Sequence, residues 1–247
     1  MLKWTAGGSL GLALGSATSL VHASDYQAAE TPTNGARLHG TLKYSGEPVE
    51  PRKMRVVKDT SICGEGFRSA QSLRVNGDGA LADGIVQIKG IARGKQWSPD
   101  YAEAKMFQID CTFQPYTQII PAGANLYVIN LDPILHNVHA YEVFGGTKRS
   151  VFNFSQPKAG QENWVPLHTR RGHLVMVNCN AHNWMGAWIY MSQSPYLSVT
   201  TEDGRFDIPD IPPGKYVLTT WHPVLGERSG EISVGSGDDL NVDLVFT

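Results

Sequence analysis

The strongest constraint on how this chain folds is a succession of short apolar runs that never settle into a helical repeat. From Arg37 onward, "RLHGTLKY", "GIVQIKG", "NLYVINL", "HLVMVNC", "AWIYM", "YLSVTT", "KYVLTTW", "GEISVG" and "NVDLVF" are rich in Val, Ile, Leu and Tyr and are separated by Gly, Pro and Asp. Runs of this length and composition read as β-strands, and no segment keeps a 3.6-residue period over three turns. The expectation is an all-β sandwich or barrel architecture. Only "SPDYAEAKMF" suits a single helical turn, with Ser98 as N-cap and Pro99 in the first position. With 247 residues and 41% hydrophobic content, the chain can build one large β-domain or two small ones.

Turn chemistry is clearest in the last quarter. In "SVTTEDGRFDIPDIPPGKYVLTTW", Asp203 and Gly204 separate two alternating runs and Pro213 and Gly214 precede another, which predicts two tight turns with positive φ at the glycines and a meander of antiparallel strands. Val242, Leu244 and Phe246 share one face, as do Ile232 and Val234. So few strands are marginal alone, and they need partners from elsewhere in the chain.

The first residues carry Lys3, a small apolar run "GGSLGLALGSATSLV" and then "VHA", the pattern of a secretory signal ending at Ala23. Glycines and serines interrupt the run, and it falls short of the roughly 20 apolar residues a spanning helix needs. Residues 1–23 are therefore expected to be a signal peptide, 24–36 a flexible lead-in, and the mature chain exported, periplasmic in a bacterium, without a membrane span. Without Lys3, 20 basic residues face 23 acidic ones, a net charge of about −3 that gives no reason to expect nucleic-acid binding. The cluster Arg52, Lys53, Arg55 and Lys58 reads as a solvated edge strand.

Three cysteines, Cys63, Cys111 and Cys179, are an odd number for an exported chain. The economical assignment pairs Cys63 with Cys111 and leaves Cys179 as a thiolate. The alternatives are that Cys179 pairs with one of the others, or that all three are buried thiols. Only Cys179 has other soft or imidazole donors at short regular spacing, in "NCNAHNWM". A mononuclear electron-transfer copper takes two imidazole nitrogens, one thiolate and a weak axial thioether. Cys179, His182 and Met185 supply three of these from one loop, where residues three apart can curl round an ion, as they cannot along a straight strand. The fourth comes from "NLDPILHNVHA", in His136 or His139. His136 lies at the turn exit, nearer the loop, while His139 reads as a structural histidine. Asn137 is placed to tie the two ligand segments together with its side-chain amide. Trp184 is either a packing residue or a contact for a transient redox partner, where small, partly apolar interfaces are usual.

"HNVH" followed by "CNAHNWM" resembles the cupredoxin family, and the Cys-x2-His-x2-Met spacing is similar to that of amicyanin more than to plastocyanin. The resemblance covers roughly residues 114–192, including "FQPYTQIIPAGANLYVINLD", and implies a type 1 copper site with His136, Cys179, His182 and Met185 as ligands. The sequence departs from the family in having Ala181 and Asn183 where prolines are common, and Tyr116 where related two-domain proteins often carry histidine. "LHGTLKYSGEPV", "LADGIVQIKGI" and "TTEDGRFDIPDIPPGKYVL" resemble the carboxypeptidase-regulatory-like, or transthyretin-like, sandwich. The whole resembles exported plastocyanin-like proteins of the methylamine-utilisation type. It implies a cupredoxin domain at 114–194, a Greek-key sandwich inserted in or packed beside a discontinuous second sandwich at 37–113 and 195–247.

The other histidines attract weaker readings: His168 and His173 as exposed turn residues, His222 as a loop cap beside Trp221. Hydrolytic and phosphate-binding motifs are absent, and there is no His-x-His pair of the kind a trinuclear copper centre uses. The sequence thus points to a non-enzymatic, single-copper electron carrier with a cytochrome or dehydrogenase as redox partner. The rival readings are a copper-sequestering module without a redox partner and a metal-free structural sandwich.

Overall fold

A computed structural model of the chain describes residues 26–70 and 73–247, so the expected signal peptide lies outside the described residues. The architecture is predominantly β-sheet. Two pairs of sheets account for most of the strands, and each pair encloses its own apolar core.

The first pair holds a four-stranded sheet in the order Glu162–Pro166, Asn125–Asn130, Ala104–Ile109, Thr112–Gln114. Facing it is a five-stranded sheet in the order Thr147–Gln156, His136–Phe144, Leu174–Asn178, Gly186–Ser192, Thr117–Pro121. Alternation decides which side chains turn inward: Leu126 and Val128 on one sheet, Val175 and Val177 on the other, all fully buried. Met106, Phe113, Val138, Ala140 and Ile189 complete this core.

The second pair joins strands from both ends of the chain. Ile85–Lys89 pairs with Leu197–Val199 and with Gly214–His222, which in turn pairs with Gly226–Val234. Opposite, Ala36–Tyr44 pairs with Arg205–Ile211 and runs parallel to Asp239–Asn241 and Leu244–Phe246. The partners that the C-terminal strands needed are thus Ala36–Tyr44 and Ile85–Lys89. Leu38, Leu42, Val86, Ile88, Phe206, Ile208, Leu218 and Leu244 form the core.

A third cluster joins the two sandwiches: Ile119 and Tyr190 of the first meet Ile85, Leu197 and Trp221 of the second. The buried Tyr190 hydroxyl donates to Gln87 Oε1 at 2.8 Å, and Gln87 Nε2 donates to Ser192 Oγ at 3.1 Å.

Several expectations are corrected. The first sandwich begins before residue 114, because Ala104–Ile109 lies parallel to Asn125–Asn130, with Met106 opposite Val128. Its inward residues Ala104, Met106 and Gln108 follow a period of two, which the apolar Phe107 on the outer face and the polar Gln108 on the inner face conceal. Val56 and Cys63 are also buried in the first core, so residues 37–113 do not form one body with the second sandwich. The lead-in is ordered from Tyr26: Gln27–Ala28 pairs with Arg93–Gly94, and the Tyr26 ring packs edge-on against Tyr196 at 6.2 Å. One aromatic ring supplies the apolar contact that the polar composition around it hides.

The C-terminal strands are not a meander. Arg205–Ile211 and Gly214–His222 lie in opposite sheets, so the Pro213 turn carries the chain across the core, and only Gly214–His222 and Gly226–Val234 form a hairpin. Gly204 has φ 69° as predicted for its turn, whereas Gly214 does not have positive φ. A Cβ at Gly214 would come within 2.6 Å of the Tyr216 hydroxyl, so glycine is needed there for space. The 3-10 turn at Pro99–Tyr101 has the predicted cap, with Asp100 N donating to Ser98 Oγ at 3.3 Å.

Candidate metal centre

Leu174–Asn178 and Gly186–Ser192 form an antiparallel hairpin whose last registered pair is Asn178 with Gly186, so residues 179–185 are its end loop. Two backbone bonds curl it: Cys179 N donates to Met185 O at 3.3 Å and Met185 N to His182 O at 3.1 Å. On the other side of Leu174–Asn178 runs His136–Phe144, with His139 opposite Asn178. That register brings the start of His136–Phe144 beside the loop.

His136, Cys179 and His182 meet there. One donor atom from each lies within 4.8 Å of the others, and the residues are 0%, 3% and 1% exposed. His136 Nδ1 and His182 Nδ1 are 3.0 Å apart, and Cys179 Sγ is 3.6 Å from His182 Nδ1. Spacings of this order arise when nitrogen and sulfur donors about 2.0–2.3 Å from an ion share it. Met185, 3% exposed, is buried in the same core as Cys179.

Both imidazoles face the cluster through Nδ1 and are anchored through Nε2. His136 Nε2 lies 2.8 Å from Asp132 Oδ2, and His182 Nε2 lies 2.9 Å from Asp59 Oδ2. A carboxylate behind an imidazole fixes the tautomer, leaving the inner nitrogen its lone pair for a metal, and it raises that nitrogen's basicity. Asp132 is itself held, accepting from Asp110 N and Cys111 N at 2.9 Å each. The sequence reading missed both aspartates. Asp132, four residues before His136, has a local signal in "NLDPILH". Asp59 is 123 residues from His182 and has none.

Burial pushes the Cys179 thiol up, partly offset by the amides of Asn137, Ala181 and His182. Asn137 N donates to the sulfur at 3.4 Å. Burial also lowers the His136 pKa, opposed by the hydrogen bond to Asp132 and reinforced by His182. A buried pocket that offers two imidazole nitrogens and a sulfur already facing an amide is chemically fitted to a soft or borderline ion.

The remaining sequence candidates separate. The Asn137 side chain donates to Asn153 Oδ1 at 2.8 Å and Phe154 O at 2.9 Å, and its Oδ1 accepts from Asn180 N at 3.3 Å, linking the Cys179 loop to the Thr147–Gln156 strand. His139 lies outside the cluster, its ring nitrogens engaged by Tyr141, Ser150 and Asn180. Trp184 is only 6% exposed, and its indole donates to Cys111 O at 3.0 Å, which makes it a packing residue rather than a surface contact. His168 and His173 are exposed. His222 is buried and accepts from Val224 N at 3.2 Å, capping its turn.

Cys63 and Cys111 form a disulfide with Cα atoms 5.5 Å apart, and Cys179 is a free, buried thiol. The disulfide fastens a short ribbon to the first sandwich: Lys53–Arg55 paired with Phe67–Ser69, with a helical turn at Thr60–Cys63 between. The basic residues Lys53 and Arg55 therefore stand on a two-stranded ribbon of their own. Asp59, at the start of its helical turn with φ 53°, points from the ribbon to His182.

No family model and no curated protein matches the chain. Among solved structures, it is similar over part of its length to a purple cupredoxin from Nitrosopumilus maritimus, at 19% identity over 36% of this chain and 99% of that one, with a TM-score of 0.30. It is similar to amicyanin from Paracoccus versutus at 14% identity, over 36% of this chain and 81% of that one, TM-score 0.30. A copper-containing nitrite reductase from Thermus scotoductus SA-01 aligns at 14% identity over 42% of this chain and only 24% of that one, TM-score 0.29. Likeness of this degree assigns neither a family nor a function. Among the described residues, no helix is long and apolar enough to cross a membrane.

Proposed function

We propose that this protein is a copper-binding electron carrier in which His136, Cys179 and His182 would hold the ion, with the Met185 thioether as a further, weaker donor. The observation that carries the reading is the buried triad: two Nδ1 atoms and one thiol converge while carboxylates hold both Nε2 atoms outside. Bound copper would supply one-electron oxidation and reduction. The residues hold two imidazoles and a sulfur in fixed orientation, keep water out and limit reorganisation between the two oxidation states. With all four donors supplied by the protein in this reading, the proposed role is that of a carrier and not an enzyme.

The second sandwich is proposed to be carboxypeptidase-regulatory-like and to act as a scaffold, and the signal-like N-terminus supports export to the periplasm. A second reading, copper retention without exchange, is favoured by one observation: Asp59 covers the outer edge of His182, leaving the residue 1% exposed. Metal analysis of protein from its native host, followed by stopped-flow mixing with a small cytochrome, tests both. One copper per chain with rapid reversible exchange supports the carrier. Tight Cu(I) without exchange supports retention, and no copper removes both.

A further inference from the structure

We infer that the ribbon Lys53–Ser69 is the docking surface for an acidic redox protein, an inference that rests on the carrier reading for its purpose. The way out of the site points there. His182 reaches the surface through Asp59, 2.9 Å from Nε2, whose side chain is 26% exposed. The Trp184 ring, 5.1 Å from the His182 ring, lines a cleft of about 310 Å³ together with Phe67 and Arg68 of the ribbon.

The ribbon combines exposed apolar side chains with an excess of basic ones. Val57 is 80% exposed and Phe67 68%, with Ile62 at 42%. These are three of the large apolar side chains that the described residues leave to solvent, and they occur within a dozen residues of chain. Five basic residues lie between Arg52 and Arg68 against two acidic ones, in a chain whose net charge is −2. A segment that exposes apolar side chains among an excess of basic ones is complementary to a partner with an acidic face. Such charge complementarity speeds encounter and fixes orientation more than it deepens affinity. The disulfide to Cys111 holds the ribbon in place, so docking orders nothing new.

The test uses the full chain without metal, so that it reads docking whether or not copper binds. Titration with a small b-type haem protein of net negative charge is followed by amide chemical shifts and by calorimetry. The expected result is perturbation concentrated in residues 53–69, with binding weakened about tenfold between about 0.01 and 0.15 M salt. The charge reversals R52E, K53E and R55E together should weaken binding about tenfold or more, whereas K215E with R228E on the second sandwich should leave it unchanged. Salt-independent binding, shifts confined to another face, or equal binding of a basic haem protein would overturn the inference. The salt series on the natural chain decides the matter even where a reversed variant folds poorly. Copper loading is measured separately, so loss of docking and loss of the metal site are read independently.

Discussion

His182 Nε2 and Asp59 Oδ2 lie 2.9 Å apart, although 123 residues separate them in the chain. This bond joins the Cys179 loop to a ribbon outside the sheets of both sandwiches and fixes which nitrogen of His182 faces the cluster. Asp59→Ala should weaken copper binding about 10–100-fold while keeping the ligand set. Competition titration against a chelator measures it. Unchanged affinity would show that the loop alone orients His182.

The Cys63–Cys111 disulfide should contribute stability without contributing a ligand. It spans a sequence separation of 48 and closes a loop of that size in the unfolded chain. Replacing both cysteines by serine should cost about 2–4 kcal/mol, read from the denaturant midpoint. The copper spectrum should survive. Its loss in a folded double variant would show that the site depends on the ribbon the disulfide holds in place.

Glu142 anchors the turn that leads into the Leu174–Asn178 strand. Its Oε1 accepts from the amides of Arg170, Arg171 and Gly172 at 2.5–2.9 Å, and Arg149 binds Oε2 at 2.6 Å. Burial opposes the charge, but these donors outweigh it and bring the pKa from 4.5 to about 2. The stabilisation is present above the unfolded value of 4.5 and is lost as pH falls through about 2. Glu142→Gln should cost about 2 kcal/mol at neutral pH and flatten that part of the acid-unfolding curve.

His222 works the other way. Burial alone lowers its pKa from 6.5 to about 4, and its Nε2 has no hydrogen-bond partner among the described residues. The unfolded chain takes up this proton first, so stability is full above 6.5 and declines as pH falls toward 4. The decline is on the order of 3 kcal/mol. Thermal melts of His222→Asn across this range should show a shallower slope than the natural chain.

What was legible in the sequence follows from how local each signal is. Strand-forming runs depend on side-chain alternation and turn formers, so the β architecture and the Ser98 cap could be read directly. His136, Cys179 and His182 could be named because two lie in one loop and the third beside a turn. Pairing across the molecule leaves no such trace: Ala104–Ile109 belongs with Asn125–Asn130 through a parallel register, and Arg205–Ile211 crosses to the opposite sheet from its neighbours. Asp59 was hidden for the same reason. Its role exists only because the ribbon folds over His182.

The central claim is most directly tested by the optical and electron-paramagnetic spectrum of the copper-loaded chain beside that of Cys179→Ser. An intense visible thiolate-to-copper band with one copper per chain is the predicted result, and it should vanish in the variant. A band that persists in Cys179→Ser, or a fully copper-loaded natural chain with no such band, would contradict the account.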